Sequence, residues 1–164
     1  MSVKRILAPI DFSPDSLRAL AYARTLAKRF RAELVALHVV DQTYLAGAPE
    51  LTIANPRLAE ILHEQWQLAT AQAERLGAQL KKQWRRSRIL LKRGTPSQTI
   101  VDTARRSGAD LIVMATHGRT GLAHVLIGSV AERVVRHAHC AVLTVRRGSL
   151  RPPTARRRRA ATGR

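Results

Sequence analysis

Asp110-Leu111-Ile112-Val113-Met114-Ala115-Thr116 is followed by His117-Gly118-Arg119-Thr120-Gly121 and, after Gly128, by Ser129-Val130-Ala131-Glu132-Arg133-Val134-Val135. The first seven residues hold the most hydrophobic stretch of strand length in the chain, apolar from Leu111 through Ala115. Such a run predicts a central strand covered on both faces. Val130, Val134, Val135 and Ala138 then recur at helical spacing, which predicts a helix over residues 129–137. A strand, a glycine loop and a helix start in that order suit phosphate. Glycines let backbone amides approach closely, the Ser129 hydroxyl adds a donor, Arg119 adds charge, and a helix N-terminus favours an anion.

Working outward, the same alternation repeats. Residues 3–10 read as a buried strand ending at Pro9 and Asp11, after which Ser13 caps a helix with Pro14 in its first position. Leu17, Leu20, Ala21, Ala27 and Phe30 are expected to form the buried stripe of that helix. Residues 34–40 are a second strand, and residues 41–56 a loop rich in Gly, Pro, Asn and Asp. Leu62, Trp66, Ala69, Ala73, Leu76 and Leu80 predict a long sheet-docked helix over residues 57–83, with Gly77 bending or fraying its end. Residues 89–91 read as a short edge strand with charged flanks. Thr95 and Pro96 start a helix through Ser107, ended by Gly108, and residues 141–145 are the last strand.

Strands alternating with helices predict an α/β, doubly wound, five-stranded parallel sheet with helices on both faces. In such sheets ligands bind beyond the carboxyl ends of the strands. The chain of 164 residues fits one domain over residues 1–146. Residues 147–164 form an arginine-rich tail with no apolar pattern, expected to be disordered.

The formal charge is +18, and seven of the cations lie in the tail, so the rest of the chain keeps +11. That balance raises polyanion binding, but aromatics at 4% are too sparse for single-strand stacking platforms. The single cysteine, Cys140, excludes an intrachain disulfide and suits a reducing compartment, so the cytoplasm is the expected location. The apolar run at the N-terminus meets Pro9 and Asp11 before a signal-peptide core develops, and no span has the length of a membrane helix.

Four separated segments carry a resemblance. Pro9-Ile10-Asp11-Phe12-Ser13, Leu37-His38-Val39-Val40-Asp41, Gly128-Ser129-Val130-Ala131-Glu132-Arg133-Val134 and Cys140-Ala141-Val142-Leu143-Thr144-Val145 resemble segments of the universal stress protein family, in the same order. Gly118, nine residues, then Gly128-Ser129 is similar to the second half of that family's ATP motif, as in its UspA-type, ATP-binding subgroup. The resemblance covers roughly residues 2–146. It implies an adenine-nucleotide α-hydrolase-like sheet of order 3-2-1-4-5, ATP as ligand, and Mg2+ bound through the phosphates. Carried over by position, it implies that Asp11 lies near the ribose and that Val39 offers its main chain to the adenine. Gly118, Arg119, Gly128, Ser129 and Val130 would surround the phosphates, and Pro9, Ile10, Ala115 and His117 complete the candidate set. Ala115 stands where the first glycine of the motif belongs, a methyl that an extended backbone tolerates. The resemblance also implies a homodimer through the last strand.

The expected function is therefore an ATP-binding, nucleotide-dependent regulatory module rather than an efficient enzyme. An ATP hydrolase or adenylyl-transferring enzyme on the same pocket is the enzyme alternative, and a basic nucleic-acid- or membrane-associated scaffold the third class. No catalytic residue is assigned. His117 has no partner acid in the sequence that would make it a general base. His137, His139 and Cys140 lack the spacing of a zinc set and read as helix-end and small core residues. The cluster of Lys81, Lys82, Arg85, Arg86, Arg88, Lys92 and Arg93 reads as a solvated face, the alternative being that it joins the arginine tail in nonspecific contact with RNA, DNA or acidic lipid.

Overall fold

The structure is a computed structural model and describes residues 2–43, 55–116 and 127–146. Five strands, β1 (Arg5–Ile10), β2 (Glu33–Asp41), β3 (Ser87–Gly94), β4 (Leu111–Ala115) and β5 (Ala141–Val145), form one parallel sheet in the order β3-β2-β1-β4-β5. Among the described residues four helices connect them: α1 (Pro14–Phe30), α2 (Pro56–Gln83), α3 (Pro96–Ser107) and α4 (Ser129–His137). The arginine tail and the predicted 44–54 part of the loop lie outside the described residues.

Each face of the sheet carries two helices. Ile6, Ala8 and Ile10 point into one core with Ala19, Leu20, Ala23 and Ala27 of α1 and Leu80 of α2. Leu7, Val35, Leu37 and Ile112 point into the other with Ile100, Val101 and Ala104 of α3 and Ala131 and Val134 of α4. Strand side chains alternate between faces, so both cores draw on the same strands. Fully buried Ile6, Leu7, Leu34 and Leu37 show why these segments read as uninterrupted apolar runs.

The start of α1 follows the expected cap, whereas the Asn55 cap of α2 was not anticipated. Ser13 accepts the Ser16 N–H at 3.2 Å with Pro14 in the first turn, and Asn55 does the same for Leu58. Thr95 stands at the cap of α3 but makes no side-chain cap bond. Gly108 ends α3 in the left-handed region at φ 63°.

Several expectations need correction. The buried stripe of α1 is Ser16, Ala19, Leu20, Ala23 and Ala27, while Leu17 and Phe30 are 38% and 47% exposed. The small residues win because they let the helix lie close to the sheet, which the larger side chains would hold away. On α4, Ala131 and Val134 are buried but Val135 is 49% exposed. Gly77 neither ends nor frays α2. The helix continues to Gln83, and a Cβ at Gly77 would lie 2.9 Å from Cγ2 of Ile89, so the glycine permits close contact with β3. The edge strand β3 is also longer than its apolar run, because backbone pairing with β2 extends from Leu34↔Ser87 to Asp41↔Gly94.

Candidate nucleotide site

The order of strands reverses at β1, which has β2 on one side and β4 on the other, and there the carboxyl end of the sheet is opened by two local features. The first is Pro9. Arg5 accepts the Asp110 N–H through its carbonyl, so Arg5, Leu7 and Pro9 face β4 by alternation along the strand. Proline has no N–H to donate, and the ladder between β1 and β4 stops at Leu7↔Ile112. The second is an overhang. Pairing of β1 with β2 ends at Ile10↔His38, whereas β2 continues with β3 to Asp41↔Gly94. Glu33 donates toward β1 and Leu34 toward β3, so Val39 shares the orientation of Glu33. Its main chain faces the side of the sheet where the last β1 pair has already passed.

Around this opening the turn after β1 is tightly specified. Asp11 accepts the Ser13 N–H through Oδ1 at 3.0 Å, and its own N–H donates to Ser16 Oγ at 3.2 Å. Phe12 adopts φ 61°, a conformation that a bulky residue rarely takes, and its ring lies 4.6 Å from that of His38 at 54°. His38 Nδ1 donates to the Ile10 carbonyl at 2.8 Å, and because a carbonyl only accepts, Nδ1 carries the proton. The Ser13 N–H thus orients the Asp11 carboxylate just beyond the carboxyl end of β1.

On the β4 side, Thr116 donates to the Val145 carbonyl at 3.1 Å, and its own carbonyl accepts the Gly128 N–H at 2.7 Å. This bond closes the ends of the glycine loop and pins the start of α4 to the end of β4. Glu132 donates back to Gly128, leaving the N–H groups of Ser129, Val130 and Ala131 with no intrahelical acceptor. No protein acceptor among the described residues meets them. The exposed Ser129 hydroxyl sits on the same first turn. Partial positive charge, three amides and a hydroxyl make this a helix start suited to an anion.

The candidate residues thus divide. Asp11, Val39, Gly128, Ser129 and Val130 border the carboxyl end of the sheet, but the Gly128 N–H is committed to Thr116 and is not one of the open amides. Pro9 and Ile10 are buried, and Ile10 packs beneath α1, so their part is to shape the backbone of the opening. Ala115 is the last residue of β4 and its side chain joins the core beneath α1, in keeping with the extended backbone expected there. His117, Gly118 and Arg119 lie outside the described residues. Phe12, His38, Ser16 and Thr116 were not anticipated. His38 and Phe12 stood inside quoted motifs, but their ring contact depends on a positive φ that no local pattern announces.

Elsewhere, Cys140 is partly buried, and burial, followed by the nearby Asp110 charge, pushes its thiol above the ordinary range. No helix among the described residues is long and apolar enough to cross a membrane.

The reversed strand order defines a doubly wound parallel α/β fold, with the interrupted ladder and the open helix start at its switch point. The model of the universal stress protein family matches residues 2–146, and the chain belongs to that family. It is 39% identical over 150 residues to universal stress protein MJ0531 of Methanocaldococcus jannaschii, covering 88% of this chain and 82% of the relative. Among solved structures, universal stress protein UspA from Lactobacillus plantarum superposes with a TM-score of 0.78 at 28% identity, covering 89% of this chain and 99% of that one. Protein MJ0577 of Methanocaldococcus jannaschii gives 0.72 at 28% identity, covering 92% and 100%.

Proposed function

We propose that this protein binds ATP at the β1/β4 switch point and acts as a nucleotide-dependent regulatory module, with little or no turnover. The observation that carries this reading is the start of α4, pinned by the Gly128–Thr116 bond at 2.7 Å with the following amides unanswered by any acceptor among the described residues. Those amides and the Ser129 hydroxyl would receive phosphate oxygens, the Asp11 carboxylate would accept from ribose hydroxyls, and the Val39 main chain would meet the adenine edge. The motif residues Gly118 and Arg119 would complete the phosphate contacts.

Mg2+ would be held by the phosphate oxygens of the bound nucleotide. No group of three or more His, Cys, Asp or Glu gathers among the described residues, so the ion would depend on the nucleotide for most of its oxygen ligands. The function is assigned to the cytoplasm and to a homodimer formed through β5, an edge strand that would otherwise leave an apolar border unpaired.

Calorimetric titration with ATP, ADP and AMP, with and without Mg2+, tests the reading. Saturable ATP binding is expected, at least tenfold weaker in Gly128→Val. Gly128 has an ordinary φ of −66°, so valine introduces no left-handed strain, and thermal unfolding of the variant separates a blocked site from a lost fold. Absence of saturable binding to the wild type at millimolar ATP would overturn the proposal.

A further inference from the structure

The face opposite the nucleotide crevice is strongly basic. In a parallel sheet joined by helices, every helix runs back against the strands, so four helix C-termini and five strand starts meet at the amino edge. Three of the four described helices end there in a pair of cations, Lys28 and Arg29 of α1, Lys81 and Lys82 of α2, and Arg105 and Arg106 of α3, while α4 ends in Arg136, which is paired with Glu132, and His137. All six residues of the three pairs are exposed. Cations in a last turn complement the helix dipole, which accounts for part of this pattern.

The dipole does not account for the remainder. The strand starts and turns between the helices add further cations, and Arg86 donates to the Arg31 carbonyl at 2.7 Å, holding two of them together across the α1 and α2 ends. The acids that interrupt this edge are already engaged. Glu33 accepts from Arg5 and Arg88, each at 2.7 Å, and Asp110 accepts the Lys4 and Arg5 amides.

We infer that this amino face is a docking surface for the phosphate backbone of duplex nucleic acid, distinct from the nucleotide crevice and from the arginine tail. Four strand spacings give the strip a length of about 19 Å, which matches a length of duplex carrying roughly eleven phosphate charges on its two strands. Arginine predominates among the cations, and its planar fork suits phosphate. The scarcity of aromatics, 4% of the chain, favours a duplex backbone over stacked single-strand bases. A membrane surface is the less suitable partner. The exposed large apolar side chains toward this edge, among the described residues, are Phe30 and Val135 on separate helices, which do not make a continuous apolar face. The Trp84 indole N–H is held by the Ala32 carbonyl at 3.0 Å.

Fluorescence anisotropy of a labelled mixed-sequence duplex, titrated with full-length protein over a range of salt, tests the assignment. The face variant combines Lys81→Gln, Lys82→Gln, Arg105→Gln and Arg106→Gln. A charge-matched variant combines Arg57→Gln, Arg75→Gln, Arg93→Gln and Arg133→Gln, and a tail variant changes Arg156, Arg157, Arg158 and Arg159 to Gln. The face variant is expected to bind at least tenfold more weakly than the charge-matched one. Its slope of log affinity against log salt should shrink by about 0.9 for each phosphate that the variant no longer neutralises. Circular dichroism checks its fold, and Lys28→Gln with Arg29→Gln provides an independent variant of the same face. Equal weakening in the face and charge-matched variants would overturn the inference, as would weakening confined to the tail variant. Binding to vesicles containing phosphatidylserine without binding to the duplex would overturn it as well.

Discussion

Asp110 joins two strand starts through a single carboxylate oxygen. Its Oδ2 accepts the Lys4 N–H at 2.7 Å and the Arg5 N–H at 2.8 Å, and the Arg5 amide, then the Lys4 amide, holds its carboxyl below the ordinary value of 3.8. Hydrogen bonds to the charged form favour ionisation. A depressed folded-state value means that the contribution is fully present above the ordinary carboxylate range and is lost as pH falls through the folded value. Asp110→Ala should therefore lower stability by about 1 kcal/mol at pH 7, a figure already discounted for solvent screening. Urea unfolding at pH 7 and near pH 3 checks this, and a deficit that grows in acid would contradict it. Glu33 is lowered in the same direction, chiefly by its hydrogen bond from Arg88, with burial opposing and Arg5 assisting. Neither role was legible in the sequence, because each depends on partners brought together by parallel pairing rather than by spacing.

Elements were far more legible than their faces. Ser13-Pro14 and Thr95-Pro96 announced two helix starts, and residues 129–137 and 141–145 coincide with α4 and β5. Hydrophobic size misled the phase of α1, since Ala19, Ala23 and Ala27 carry the contact and Phe30 lies outside it. Gly77 shows the same preference for close approach. Alanine there would gain about 1 kcal/mol of helix propensity, but its methyl would lie 2.9 Å from Cγ2 of Ile89, and overpacking typically costs about 1–3 kcal/mol. Gly77→Ala should thus be neutral to destabilising by about 2 kcal/mol, whereas the same change beside Ile89→Ala should recover the propensity gain. Denaturant midpoints of the four proteins in this cycle measure the coupling, and additive effects would dismiss the contact as the cause.

For the whole molecule, alternating strands and helices sufficed to predict the sheet, and the resemblance supplied its strand order. The opening at Pro9 depends on which neighbour the missing N–H would have faced, a fact available only once β4 lies beside β1. The same alternation makes the assembly testable. Thr116 donates to the Val145 carbonyl, so Val145, Leu143 and Ala141 face β4, while Val142 and Thr144 direct their main chains away from the sheet. If β5 pairs with a second copy, the Thr144 N–H belongs to the interface ladder and to no bond within the protomer's own sheet. Thr144→Pro removes that donor while sparing the bonds to β4. Sedimentation should then show the wild type as a dimer and the variant shifted toward monomer, with ATP binding at the proposed site expected to be largely retained because the break in the ladder at Pro9 lies between β1 and β4, away from the outer edge of β5. A variant that sediments as the wild type does would place the dimer contact somewhere other than β5.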